Sequence, residues 1–176
     1  MNDAEFKDLV KIWSDFPTNG ISFKDVNPLL RSSESLNYLH KRLLDLCSNF
    51  EMTKIAAIEA RGFFVGAMLA LSLNKGLVLI RKEGKLPGPT EKEPYTIEYG
   101  TRIMEIQQDA ILTGEKILIA DDLLATGGTA LAAASLVEKL GATVDGFVFI
   151  ISLNYLAGPS KLRNKGYKVN TILEFE

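Results

Sequence analysis

A chain of 176 residues, 47% apolar and 24% charged, has the length and mix of one globular domain able to bury a core without disulfide or metal staples. Its 20 basic and 22 acidic side chains leave a net charge of −2, which excludes the basic footprint of a nucleic-acid binder. No apolar run approaches the roughly 20 residues that cross a bilayer. The one cysteine, Cys47, has no partner for an internal bridge, and the opening MNDAEFKDLVKIW mixes acids into its apolar residues, so a soluble cytoplasmic protein is expected.

Phe6, Leu9, Val10 and Trp13 recur at i, i+3, i+4 and i+7, a helical period that DFPTNG breaks with Pro17 and Gly20. A second helix is expected from about Ser33 to Phe50, with Leu36, Leu39, Leu43, Cys47 and Phe50 on one face. From Lys54 the texture changes to short apolar runs alternating with helical segments. KIAAIEA is expected as a buried strand, VGAMLALSLN as a helix closed by Gly76, and LVLIRK as a strand. The stretch Arg81 to Tyr95 holds three prolines, two glycines and many charges, so it is expected to be a long loop, neither strand nor helix.

YTIEYG and RIMEIQ have the look of a hairpin. KILIA is expected as a strand ending at Ala120, and TALAAASLVEKLG as a helix with Ala133, Leu136, Val137 and Leu140 inward and Gly141 as its C-cap. DGFVFIISL and YKVNTILEF supply the last strands. Strands alternating with helices imply an α/β fold, a mainly parallel twisted sheet flanked by helices.

ILIADDLLATGGT sets two adjacent carboxylates, Asp121 and Asp122, ahead of a small glycine-rich loop. In parallel sheets ligands bind beyond the carboxyl ends of strands. ATGGT therefore falls at a helix N-terminus, where free amides and the helix dipole attract an anion. Gly127 and Gly128 allow close approach, and Thr126 and Thr129 add hydroxyls. The lysine of a Walker loop is missing, and the chain has no Gly-x-Gly at all, so neither common phosphate fingerprint applies. Beside a bare phosphate the aspartates would be repulsive by roughly 4 kcal/mol at about 4 Å and an effective dielectric near 20. That repulsion vanishes if they accept hydrogen bonds from a diol instead. A ribose bearing a 5′-phosphate satisfies both halves of the stretch.

The same stretch resembles the phosphoribosyl pyrophosphate (PRPP) signature of the type I phosphoribosyltransferases. DFPTNGISFKDV, EARGFFVG, LIRKEGKLPGPT and YTIEYG stand in the order and spacing of the adenine phosphoribosyltransferase branch of that family, from Asp15 to about Leu153. The resemblance implies the type I phosphoribosyltransferase fold in a single domain, 1–176, with a small N-terminal hood from about the first 35 residues and a flexible catalytic loop. It implies transfer of the phosphoribosyl group from PRPP to adenine with Mg²⁺, giving AMP and pyrophosphate, in a cytoplasmic homodimer that serves purine salvage. It also implies an unusual cis peptide at or before Ala60.

Site roles follow from chemistry and resemblance together. Asp121, Asp122, Ala125, Thr126, Gly127, Gly128 and Thr129 are expected to hold ribose and 5′-phosphate. Arg61 is the first choice for pyrophosphate, because guanidinium forks match phosphate oxygens, and it counts with Glu98 as catalytic. Arg81, Lys82 and Lys85 add cations, with Arg81 and Lys85 favoured. Read alone, Glu98 is an ordinary strand residue; the resemblance makes it the acid/base beside the purine, with Tyr99 packed next to it. Ser22, Phe23, Lys24, Leu123 and Leu153 are expected at the adenine. Lys24 stands where many relatives of that family have arginine, which leaves its contact open. Mg²⁺ is expected on PRPP oxygens and water, with no protein cage. His40 lies away from every motif. Two other readings remain at this point: transfer to a different purine base, and a non-catalytic PRPP- or nucleotide-sensing regulator of the same fold. Neither nucleic acid nor membrane is expected as a partner.

Overall fold

A computed structural model of the chain describes the backbone of residues 1–97 and 100–176 and the side chains of residues 1–95 and 101–176. It contains two compact units, Met1–Asp45 and Leu46–Glu176.

The first unit opens with helix α1 (Asp3–Asp8), capped reciprocally by the side chains of Asn2 and Glu5. The helical period through Trp13 does not carry a helix that far. Lys11–Ser14 forms strand β1, paired antiparallel with β2 (Ser22–Asp25), and Trp13 lies opposite Phe23. A cross-strand ladder thus wins over local periodicity, helped by the strand preference of Ile12 and Trp13. After a 3₁₀ turn (Asn27–Leu30), helix α2 runs over Ser33–Cys47, three residues shorter than expected. Leu39 and Leu43 are buried, whereas Leu36 is exposed. Phe6 meets the Tyr38 ring at 5.1 Å, and Asp3 accepts hydrogen bonds from Tyr38 and from both Nε and Nη2 of Arg42.

The second unit is a seven-stranded sheet with helices α3 (Gly62–Ser72), α4 (Gly128–Lys139) and α5 (Gly158–Asn164). Its strands are β3 (Lys54–Ile58), β4 (Gly76–Lys82), β5 (Thr90–Ile97), β6 (Gly100–Gln107), β7 (Lys116–Leu124), β8 (Thr143–Leu153) and β9 (Val169–Phe175). They lie in the order β5-β6-β4-β3-β7-β8-β9. Pairings from β4 through β9 are parallel, and β6 joins β4 and β5 antiparallel, which makes the sheet mixed but mostly parallel. β3, β7 and β8 are near-continuous apolar runs, as strands covered on both faces must be. Ala133, Leu136 and Val137 of α4 are fully buried over them, and Leu140 only partly.

Several expected boundaries move. α3 closes at Leu73, with Asn74 left-handed at φ 52°, so Asn74 rather than Gly76 turns the chain; Gly76 opens β4. Gly141, at φ 79°, does follow α4 as expected. The long loop shrinks to residues 83–89, because β4 continues to Lys82 and β5 resumes at Thr90. Pro94 does not forbid that strand, since β5 is the sheet's edge, where a residue without an N–H is tolerated. Lys139, in the last turn of α4, clips this edge: its ammonium donates to the Lys92 carbonyl and pairs with Glu91 and Glu93.

Neighbours are added leftward from β3 to β4 and rightward from β7 to β8. The strand order therefore reverses between β3 and β7, and a crevice opens beyond their carboxyl ends.

Candidate functional site

Two adjoining clefts occupy that crevice. The larger, ≈ 340 Å³, is lined by Glu59, Ala60 and Arg61 after β3, Lys82 at the end of β4, Asp121, Asp122 and Leu123 on β7, and by Tyr95, Met104 and Thr129. The smaller, ≈ 160 Å³, is lined by Asp121, Leu123 and Leu124 together with Ala125, Thr126, Gly127, Thr129, Ala130 and Phe149. Asp121, Leu123 and Thr129 belong to both.

The aspartates sit differently from the expectation that the strand stops at Ala120. β7 runs on to Leu124, because β8 continues to pair with it: Asp121 faces Phe149, Leu123 faces Ile151, and Leu124 faces Ser152. Both carboxylates reach the larger cleft and stay close enough to interact. Asp122, only 4% exposed, points to the larger cleft alone and accepts a 2.5 Å hydrogen bond from Arg61 Nε. Asp121 faces both clefts and takes the Asp122 N–H at 2.8 Å. Burial, and next to it the charge of Asp122, raises the Asp121 carboxyl well above the ordinary aspartate range.

Beyond β7 the chain turns through Ala125–Gly127 into α4. Gly127 is left-handed, at φ 81°, and no side chain caps the helix. The first amides of α4 consequently have no partner within the helix, which makes the loop a ready anion cradle. Gly62 and Gly158 allow the backbones to close up: a Cβ on Gly62 would lie 2.7 Å from the Ala120 carbonyl, and one on Gly158 would lie 2.2 Å from the Ala125 carbonyl.

On the β3 side the peptide Glu59–Ala60 is cis. Glu59 accepts from Arg81 Nε at 3.1 Å and from the Lys82 N–H at 3.2 Å. Burial alone would raise its pKa, but those hydrogen bonds and the Arg81 and Lys82 charges outweigh it and lower the value. Arg81 Nη1 also donates to the Lys85 carbonyl. Arg61 is thus held through Nε by Asp122, and Arg81 by Glu59 and the Lys85 carbonyl.

The structure therefore brings Arg61, Lys82, Asp121, Asp122, Leu123 and Thr129 around one cleft, and Ala125, Thr126 and Gly127 around its neighbour, with Gly128 opening α4. Arg81, Lys85 and Leu153 line neither. Lys85 is exposed, and Leu153 is buried at the end of β8. Ser22, Phe23 and Lys24 belong to the first unit. There the Lys24 ammonium donates to Ser22 Oγ at 2.8 Å, and burial lowers its pKa. Phe23 meets Phe16 edge-on at 5.1 Å in a slot shared with Trp13, Asp25 and Asn27. Glu98 and Tyr99 lie outside the described residues.

Three features escaped the sequence. Glu59 lines the larger cleft; its only signal was its place in EARG. Glu105, 2% exposed, accepts from the amides of Lys85 and Leu86 and from the Thr90 hydroxyl, so it ties the 83–89 loop down. Gly158 and Lys161, in an unremarkable AGPSKL, touch the anion cradle from behind. Among the described residues no cluster of three or more His, Cys, Asp or Glu side chains could hold a metal ion.

The chain matches the phosphoribosyl transferase domain family over residues 35–175. It is 45% identical over 175 residues to the adenine phosphoribosyltransferase of Thermoanaerobacter sp. (strain X514), covering 99% of this chain and 100% of that one. Among solved structures, that of the adenine phosphoribosyltransferase from Thermoanaerobacter pseudethanolicus superposes with a TM-score of 0.95 at 44% identity, over 99% and 100% of the two chains. The Saccharomyces cerevisiae adenine phosphoribosyltransferase, complexed with an imino-altritol 1,6-bisphosphate and adenine, gives 0.87 at 39% identity, over 97% and 98%.

Proposed function

We propose roles for the cleft residues on the premise that this chain belongs to the phosphoribosyl transferase domain family and, within it, to the adenine phosphoribosyltransferases. It is a pentosyltransferase that converts adenine to AMP with PRPP. The observation that carries the assignment of roles is the shared wall: one aspartate-bearing strand end, Asp121 to Leu123, lies between a cradle of free amides and a cleft rimmed by Arg61 and Lys82.

In this reading PRPP lies along the ends of β3 and β7. Its 5′-phosphate takes the amides and hydroxyls of Ala125–Thr129, and its ribose hydroxyls donate to Asp121 and Asp122. Pyrophosphate meets the Arg61 guanidinium and the Lys82 ammonium, with Arg81 and Lys85 as further cations. The bond from C1′ to the pyrophosphate oxygen breaks, and its electron pair leaves with pyrophosphate. C1′ takes on oxocarbenium character, adenine N9 supplies the pair for the new bond, and Glu98 accepts the proton that N9 loses, with Tyr99 beside it. Because Asp122 and Glu59 already orient the arginines, stabilising the leaving group requires little rearrangement. Leu123 and Leu153 are assigned to the base. For Ser22, Phe23 and Lys24 the support is their motif and the aromatic slot around Phe23.

Mg²⁺ would enter the larger cleft with PRPP and not on a protein cage, since no cluster of metal-binding side chains forms there among the described residues. Glu59 and Asp122 are each already engaged by an arginine, so PRPP oxygens and water supply most of the metal's shell. When bound, the ion neutralises charge on the departing pyrophosphate.

A second copy of the chain is the assigned macromolecular partner. α3 carries Phe64, Ala67, Met68 and Leu71 at i, i+3, i+4 and i+7, and Leu71 is 85% exposed, an apolar stripe turned outward. Sedimentation equilibrium is expected to return twice the 19.4 kDa chain mass, and a single-chain mass at micromolar concentration would remove the homodimer. The unpaired, buried Cys47 suits a reducing cytosol, and no described helix is long and apolar enough to cross a membrane.

Supplying the purified protein with PRPP, Mg²⁺ and one base at a time tests the chemistry. Adenine is expected to be consumed with stoichiometric pyrophosphate release, and hypoxanthine, guanine and xanthine to turn over at least about 10⁴-fold less efficiently, the discrimination available to a site that hydrogen-bonds the base edge. Comparable rates with hypoxanthine would overturn the base assignment.

A further inference from the structure

The anion cradle has a back as well as a front. In a trans peptide the C=O and the following N–H point in opposite directions, so a donor that grips the carbonyl on one side aims the next amide to the other. Among the described residues the cis bonds are at 16–17 and 59–60, so the cradle's peptides are trans. Its first two carbonyls are both gripped, and both from α5. The Ala125 carbonyl accepts from the Gly158 N–H at 3.0 Å, and the Thr126 carbonyl accepts from the Lys161 ammonium at 3.3 Å. The amides of Thr126 and Gly127 are thereby turned away from α5. Ala125, Thr126 and Gly127 line the smaller cleft, whereas Gly158 and Lys161 do not.

Contact at this point is close enough to be selective. Besides its 2.2 Å approach to the Ala125 carbonyl, a Cβ on Gly158 would stand 2.8 Å from the Gly127 nitrogen, so only glycine lets its own amide reach that carbonyl without displacing the loop. Lys161 is exposed. Its flexible stem brings a full positive charge to the rear of a peptide whose front is to meet a dianion, which polarises that peptide in the useful direction.

We propose that Gly158 and Lys161 are positioning residues for the sugar phosphate: the first turn of α5 sets the direction of the anion-binding amides, and Lys161 adds a cation behind them. The proposal rests on the assignment of Ala125–Thr129 to the 5′-phosphate. Neither residue touches substrate; both act through the Ala125 and Thr126 carbonyls.

The test uses ribose 5-phosphate as probe on the full ¹⁵N-labelled chain, followed by amide shifts and calorimetry. In the parent protein saturating probe is expected to move the Thr126 and Gly127 amide resonances. Lys161→Met is expected to weaken probe binding about tenfold, the loss of one charged hydrogen bond, and to raise the KM for PRPP by a similar factor. The KM for adenine stays within twofold, and Lys161→Arg, which retains a donor, recovers most of the loss. Gly158→Ala, checked for folding by its melting curve, is expected to weaken the probe at least as much. A Lys161→Met protein that binds ribose 5-phosphate within twofold of the parent, or an arginine variant that fails to recover binding, overturns the proposal. A parent whose Thr126–Thr129 amides ignore the probe overturns instead the 5′-phosphate assignment beneath it.

Discussion

Asp122→Asn is expected to lower kcat/KM for PRPP by about 10²- to 10³-fold while the KM for adenine stays within about twofold. Asparagine keeps the shape and one acceptor oxygen but removes the charge. Two interactions weaken together: the hydrogen bond from a ribose hydroxyl, and the one from Arg61 Nε that sets the angle of the guanidinium. Hydrogen bonds to a charged group are worth about 1.5–3 kcal/mol each, and about 1.4 kcal/mol corresponds to tenfold. Losing most of two gives the stated range. Folding should suffer far less, since the Arg61 side chain is 43% exposed and water can solvate the released cation. Steady-state kinetics with each substrate varied in turn decides the point, beside a melting curve. Equal losses for PRPP and adenine would mean that the carboxylate does not serve the sugar.

Glu98→Gln is expected to reduce kcat by about 10²- to 10⁴-fold, the usual contribution of a positioned acid/base. Glutamine can still accept a hydrogen bond from the purine, so the KM for PRPP and the affinity for AMP should change by no more than about threefold. What glutamine cannot do is take the N9 proton. The acidic limb of the kcat profile against pH should vanish with it. A kcat within threefold of the parent, with that limb intact, would assign the proton to another group.

Much of the sheet was legible because periods switch where elements switch. KILIA, TGGT and ALAAASLVEKLG announce strand, turn and helix, and α4 does begin at Gly128. What local pattern could not convey were ladders closed by distant residues. Asp121 and Asp122 look like a turn, yet β8 holds them in a strand from a position about 28 residues on, Phe149 opposite Asp121. Ile12 and Trp13 fit a helical stripe, yet β2 claims them. Lys82 and Thr90 belong to strands through β4 and β5 pairing with β6, despite prolines and charges between them. The site was legible to the same depth. Residues carried by a motif, Arg61, Ala125, Thr126, Gly127 and Thr129, stand at the clefts. Glu105 and Lys161 were invisible, because their work is on backbone groups of loops 19 to 35 residues away in sequence, and a backbone partner leaves no trace in residue type.

The Lys139 clip has a mechanical consequence. α4 is 12 residues long, about 18 Å at 1.5 Å per residue. Its first turn abuts the cradle assigned to the sugar's phosphate, and its last turn fastens the edge strand β5 at Glu91–Glu93. Cradle and edge strand are therefore gauged against each other by the span of one stiff rod, not by the slack of a loop.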